Sequence, residues 1–396
     1  MTDAIDYQKT ADNIVILTLD MPGQSANTMN AVYRQAMAEI VERLESEREQ
    51  IAGVIITSAK KTFFAGGDLN ELIKVTPADA QAFYHMVLGL KAQLRRLETL
   101  GRPVVAAING AALGGGWELA LACHYRIAID QPHVQLGLPE VTLGLLPGGG
   151  GVVRMVRVEK ALPYLAEGKQ LRPAQALAAG LIQQLASSQE DMLSKARTWI
   201  LANPDAVQPW DSKGYKIPGG TPSNPALAQM LSVAPAVLRS KTQGCFPAPE
   251  KILCAAVEGA QVDFDTAQLI ETRYFTELAT GQVAKNMIGT FWFQLNQIKA
   301  GGSRPNGFDK IHPRKLGVLG AGMMGAGIAY VAAVAGIDVV LKDVSIDAAE
   351  KGKSYSAGLL DKKLARGQTT AEKRDAILGR IHPSIDDADF AGCDLI

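Results

Sequence analysis

Residues 109–151 read NGAALGGGWELALACHYRIAIDQPHVQLGLPEVTLGLLPGGGG and set two glutamates, Glu118 and Glu140, among glycines in otherwise apolar surroundings. Gly114, Gly115 and Gly116 lack a Cβ, so a ligand can approach their backbone, and they lead into the helical pattern Trp117, Leu119, Ala120, Leu121, Ala122. A helix N-terminus formed this way offers free N–H groups, reinforced by the helix dipole, to an oxygen that becomes negative during a reaction. Glu118 falls in the first turn of this helix. Glu140 follows 22 positions on (118 to 140), in the turn Leu138-Pro139-Glu140 after a short strand, so the chain has room to fold it back toward Glu118. Two carboxylates in one dry pocket cannot both ionise cheaply; one pKa rises, and the pair offers an acid and a base together. That is equipment for adding or removing water. Taken singly, Glu118 is also a dipole-favoured first-turn residue and Glu140 a solvated loop residue.

The wider composition narrows the class. A chain of 396 residues with 47% apolar content has room for two or three domains with real cores. Lys plus Arg equals Asp plus Glu at 40 each, which leaves no basic surplus for nucleic acid or an anionic membrane. Cys123, Cys245, Cys254 and Cys393 have neither CxxC spacing nor disulfide-scaffold density, so a reducing compartment and incidental thiols are expected. The start, MTDAIDYQKTADN, lacks the basic region and apolar core of a signal peptide. Apolar stretches such as 327–334 are too short to span a bilayer. A cytoplasmic protein is expected, with no metal site.

From the start, 13–19 (NIVILTL) reads as a strand, 30–49 as a surface helix with Val32, Met37, Ile40, Val41 and Leu44 inward, and 53–57 (GVIIT) as a buried strand. The turn Gly66-Gly67-Asp68, between a strand and the helical stretch 69–73, is a second place where backbone N–H groups meet an oxygen. A helix over 81–100 stops at Arg102-Pro103 before the strand 104–108. Strand and helix alternate, so the fold class is α/β. Helical patterns follow at 152–158 and 162–167, and another begins at Arg172-Pro173 with Gly180 near its end. The four glycines 148–151 suit a plain loop that lets a helix pack close; a phosphate cradle is the other reading, but no Lys-Ser/Thr follows. Residues 203–222, rich in Pro, Gly and Asp, read as a surface excursion. Helices return at 226–238, 250–259, 264–279 and 282–298, and 300–307 (AGGSRPNG) is the clearest linker.

A second site begins after it. Residues 315–335, KLGVLGAGMMGAGIAYVAAVA, place Gly320-Ala321-Gly322-Met323-Met324-Gly325 between a strand and an apolar helix. A strand at 337–341 ends near Asp343, about 20 positions on, as a dinucleotide fold requires. Asp343 is expected to accept hydrogen bonds from ribose hydroxyls and to repel a 2′-phosphate, favouring NAD over NADP. Helices at 348–365 and 371–378, a third strand at 381–385 and the opening of a fourth at 393–396 follow. Any hydride-transfer residues are expected beyond Ile396.

These motifs carry a resemblance. Residues 1–190 resemble the crotonase (enoyl-CoA hydratase/isomerase) superfamily, through Phe64-Ala65-Gly66-Gly67-Asp68, the run 110–119 and Leu138-Pro139-Glu140 with Leu146-Pro147-Gly148. Residues 315–396 resemble the NAD-binding domain of 3-hydroxyacyl-CoA dehydrogenases. Their order is similar to that of the multifunctional α-subunits of bacterial fatty-acid oxidation complexes. The resemblance implies a ββα spiral domain (1–190), a helical connector (191–300), a linker (301–314) and an incomplete, doubly wound Rossmann domain (315–396). It also implies an acyl-CoA thioester substrate whose oxygen is held by the N–H groups of Gly67 and Gly115, with Glu118 and Glu140 bracketing the water that adds to the double bond. NAD would sit on Gly320, Gly322, Met323, Met324, Gly325 and Asp343. A thiolase β-subunit and an oligomeric assembly are implied partners. Gly67 stands where alanine is common. Trp117 stands where cysteine is frequent, and it is expected to narrow the acyl pocket. Two other readings remain open: a different crotonase reaction, such as Δ3-to-Δ2 isomerisation or thioester hydrolysis, and a non-catalytic CoA- or NAD-binding assembly module with an exposed strand edge.

Overall fold

The computed structural model describes residues 4–157 and 161–396. Val158, in the helical reading of 152–158, and residues 1–3 lie outside them. The chain divides into two compact units, Met1–Ser303 and Arg304–Ile396.

In the first unit, strands β1 (Ile5–Lys9) and β2 (Ile14–Leu19) form an antiparallel hairpin with Ile5 opposite Leu19. The sequence reading begins only at β2; β1 is an edge strand with little of its length buried, so it lacks an apolar signature. The chain continues through helix α1 (Ala31–Glu47), strand β3 (Gly53–Ser58), helices α2 (Leu69–Leu72) and α3 (Ala80–Glu98), and strands β4 (Val104–Ile108) and β5 (Ala112–Leu113). Helix α4 (Gly115–Leu121), strands β6 (Tyr125–Ile129) and β7 (Leu136–Gly137), and helices α5 (Gly151–Val156), α6 (Ala161–Ala166) and α7 (Pro173–Ala178) follow. Strand β8 (Gln184–Ala186) and helix α8 (Gln189–Ala202) come next.

The main sheet has the order β1-β2-β3-β4-β6-β8, parallel from β2 onward, and β5 pairs with β7 in a second small layer. A parallel sheet covered on both faces needs near-continuous apolar strands, and VVAAI in β4 is wholly buried. Successive side chains point to opposite faces. Val54, Ile56, Val104 and Ala106 join the core that includes α1 and α3, whereas Ile14, Ile55, Val105 and Ala107 pack on Met192, Ala196 and Ile200 of α8. Helix α8 was not anticipated from the sequence. Its cap is local: Ser188 accepts the N–H of Asp191. On α1, Asn30 likewise caps Tyr33; Tyr33 is buried and Val32, expected inward, is 43% exposed.

Beyond residue 203, helices α9 (Pro225–Thr242), α10 (Pro247–Gly259), α11 (Phe264–Thr280), α12 (Gln282–Met287) and α13 (Leu295–Lys299) complete the unit, with a π-helical stretch Ile288–Gln294 between the last two. The sequence reading treats 191–300 as a connector; here α10, α11 and α12 contribute Ile252, Phe275, Leu278 and Ala284 to the same core as the sheet.

The second unit has strands β9 (Lys315–Leu319), β10 (Asp338–Lys342) and β11 (Ile381–Ser384), all parallel in the order β11-β10-β9. Helices α14 (Met323–Val334), α15 (Ile346–Ala365) and α16 (Ala371–Gly379) connect them. Leu395 bridges Leu316 in parallel on the other edge of β9. The spatial order 3-2-1-4 is that of the doubly wound nucleotide fold.

Candidate active site

Helix α4 enters the site across a backbone that tolerates only glycine. A Cβ on Gly116 would lie 2.4 Å from the main-chain oxygen of Phe64, and one on Gly114, at φ 55°, would lie 2.9 Å from Glu140 Oε1. Glu118, in the first turn, is 3% exposed. Its Oε1 accepts two main-chain N–H groups, from Gly149 at 2.7 Å and Gly151 at 2.8 Å. The four-glycine run therefore does let a helix approach closely, and it also binds carboxylates: the Gly150 N–H goes to Glu271 Oε1 at 2.8 Å. With those N–H groups taken, the run is not a phosphate cradle.

Glu140 opens a 3₁₀ turn, Glu140–Leu143, directly after β7 and Pro139. As a residue it is half-buried, but its Oε2 is shut from solvent and has no hydrogen-bond partner among the described residues. Burial is the main force on both carboxyls. It pushes Glu118 up to about 7, with the Glu271 charge adding and the loop N–H groups opposing. Glu140 is raised well above the carboxylate range, by burial and then by Glu118. The two environments differ in one decisive respect: Glu118 has N–H donors that favour its charged form, and Glu140 Oε2 has none.

The turn 66–68 is brought to the same place. Gly66, at φ 108°, gives its carbonyl to the Met29 N–H, and a Cβ there would sit 3.6 Å from Gly115 N. Asp68 caps α2 through the Asn70 N–H. The N–H groups of Gly67 and Gly115 make no hydrogen bond to the described residues. Both glycines line one cavity of about 750 Å³ together with Glu118 and Glu140. Its walls include Val87, Leu90, Leu143 and Phe275, with Phe291 and Trp292, about half exposed, from the π-helical stretch.

Two points depart from the sequence reading. Trp117 is 1% exposed in the core and is absent from the cavity lining, so it does not narrow an acyl pocket. Phe275, Phe291 and Trp292 were not singled out; they come from helical segments whose periodicity shows an apolar face but not what that face meets.

In the second unit, Gly320 has φ 91° and a Cβ on Gly325 would lie 1.7 Å from the Gly320 oxygen, so close packing of α14 on the turn demands glycine. Nothing lies within 4 Å of a Cβ position on Gly322, which leaves room for a pyrophosphate at the start of α14. Met323 and Met324 are 88% and 70% exposed at that helix start. Asp343 stands just past the end of β10 and accepts the Ala321 N–H at 2.7 Å, which holds its carboxyl below the usual range. These residues fit a dinucleotide. Among the described residues no helix is long and apolar enough to cross a membrane.

Main-chain donors and two buried carboxyls around one apolar cavity suit a class of protein that holds a carbonyl oxygen while protons move at neighbouring carbons. Comparison with known proteins agrees. Residues 9–207 match the enoyl-CoA hydratase/isomerase family and residues 315–396 match the NAD binding domain of 3-hydroxyacyl-CoA dehydrogenase. The chain belongs to the enoyl-CoA hydratase/isomerase family, fused to that NAD-binding domain. It is 36% identical over 391 residues to the fatty acid oxidation complex subunit alpha of Shewanella baltica, covering 96% of this chain and 53% of the relative. To the subunit of the same name from Idiomarina loihiensis it is 35% identical over 395 residues, covering 97% and 54%. The chain thus spans about half the length of the curated relatives it matches. An enoyl-CoA hydratase structure from Bacillus halodurans shares the fold, with TM-score 0.50, 21% identity, and coverage of 73% of this chain and 100% of that one.

Proposed function

We propose that this chain hydrates 2-trans-enoyl-CoA to 3-hydroxyacyl-CoA in fatty-acid β-oxidation. The observation that carries the reading is the pairing, in one cavity, of Glu118, held by two N–H groups, with Glu140, whose Oε2 has no partner among the described residues. Glu118, ionised, takes a proton from water as the water oxygen bonds to C3. Glu140, protonated, gives its proton to C2. The thioester oxygen gains negative charge meanwhile, and the Gly67 and Gly115 N–H groups receive it. Nothing in this sequence requires a metal.

The same reading makes 1–190 the hydratase domain and 191–300 the extension that closes its cavity, followed by a linker (301–314) and the NAD-binding region (315–396). When bound, NAD would supply the hydride acceptor for oxidation of a 3-hydroxyacyl-CoA. Gly320, Gly322 and Gly325 would admit its pyrophosphate, with Met323 and Met324 at the helix start and Asp343 at a ribose. Assembly into a complex fits the relatives' name, a thiolase subunit as partner follows from the sequence resemblance, and a cytoplasmic setting from the cysteine usage.

Product analysis tests the proposal. Incubation with 2-enoyl-CoA should give 3-hydroxyacyl-CoA; formation only of a double-bond isomer from 3-enoyl-CoA, or of free acid, would overturn it. Binding of acyl-CoA without turnover would instead favour a non-catalytic module.

A further inference from the structure

Two buried ionisable residues outside the proposed chemistry lie behind Glu118. Lys91 of α3 is 3% exposed and Glu271 of α11 fully buried, and they form an ion pair at 2.7 Å. Glu271 spends its remaining capacity on the glycine loop. Its Oε1 takes the Gly150 N–H and its Oε2 the Val153 N–H at 2.9 Å, between and beyond the two N–H groups that hold Glu118. The loop is gripped from a second side: Arg154 donates to the Gly149 oxygen at 3.1 Å and is fixed by a bidentate pair with Glu98. Lys91 in turn donates to the Gln268 oxygen at 3.0 Å. A buried pair of this kind adds little net stability by itself. It does define geometry, because each carboxylate oxygen has its partner assigned.

We propose that Glu271, charge-balanced by Lys91, is a positioning residue that holds the 149–153 backbone so that two N–H groups converge on one oxygen of Glu118. The inference deepens the hydratase reading and rests on it for its kinetic consequences. Glu271 lies outside the matched family region 9–207, so the extension supplies part of the machinery of the site. The charged groups acting on Glu118 are Glu140 from the 3₁₀ turn, Glu271 from α11 and Lys91 from α3, while Glu98 of α3 and Arg154 of α5 form the pair that grips the loop. Of these, Glu271 is the charge that chiefly raises the Glu118 pKa after burial itself.

The test uses the full chain with Glu271→Gln and with the double variant Lys91→Met/Glu271→Gln, which leaves no unpaired buried charge. Each should lower kcat for enoyl-CoA hydration about 10-fold or more, as loosened positioning does, with KM changed less than about 2-fold and circular dichroism unchanged. Without substrate, amide hydrogen exchange at Gly149 and Gly151, followed by NMR, should speed up in both variants as the two N–H groups lose their fixed aim at Glu118. Unchanged kcat and unchanged exchange at Gly149 and Gly151 in both variants would overturn the proposal. So would a kcat loss fully accounted for by unfolding. Absence of hydration in the wild type would reject the hydratase reading alone, since amide exchange decides the positioning role without turnover.

Discussion

Glu118 Oε1 and the main-chain nitrogen of Gly149 lie 2.7 Å apart, and a Cβ on Gly149 would lie 2.7 Å from the other oxygen of the same carboxylate. The glycine is needed twice, as the donor and as the space the acceptor fills. Gly149→Ala should therefore displace Glu118 without removing it. We expect kcat to fall on the order of 100-fold with the fold retained, which steady-state kinetics and circular dichroism on the same sample would check.

The pH dependence follows from the two carboxyls. In the proposed mechanism Glu118 works ionised, so the rate should rise with pH through about 7, and Glu140 works protonated, so the rate should fall again at higher pH. Replacing Glu140 by Gln should remove the alkaline limb from whatever activity remains.

Stability should move the opposite way. Both folded-state pKa values exceed that of an unfolded carboxyl, about 4.3, so the folded chain binds these protons more tightly. That contribution is complete below about 4.3 and is lost, for Glu118, as pH rises through about 7. The melting temperature of Glu118→Gln, compared with wild type, should accordingly improve as pH increases across that window. A difference independent of pH would contradict the assignment.

The pair Arg154–Glu98 is wholly buried and bidentate. Removing one partner strands the other charge away from water, so Glu98→Ala should cost about 3–5 kcal/mol of folding stability. Denaturant unfolding measures it.

For the second unit, Gly325→Ala would drive a Cβ into the Gly320 oxygen and should abolish NAD binding by calorimetry. Asp343→Asn should weaken NAD and narrow its margin over NADP, because a neutral side chain no longer repels a 2′-phosphate.

Much of this arrangement was legible because the signals are local. A strand such as β4 announces itself by an unbroken apolar run, and the turns at 114–116 and 320–325 by closely spaced glycines, of which Gly114, Gly116, Gly320 and Gly325 leave no room or no backbone freedom for a side chain. Where the sequence was silent, the information was not local. Glu271 and Phe275 read as ordinary positions on an amphipathic helix; only packing brings one to the glycine loop and the other to the cavity wall. Strand β1, at the sheet edge, and helix α8, with its modest apolar stripe, carry weak patterns for the same reason. Trp117 misleads in the opposite direction, because Gly115 and Glu118 line the cavity while the ring between them faces the core.

The central claim is that Glu118 and Glu140 act together on one substrate. The most direct measurement is the initial rate of crotonyl-CoA hydration by Glu118→Gln and by Glu140→Gln, each folded as the wild type. The account predicts a loss of about 100-fold or more in kcat for either change. Hydration at the wild-type rate by either variant would contradict it.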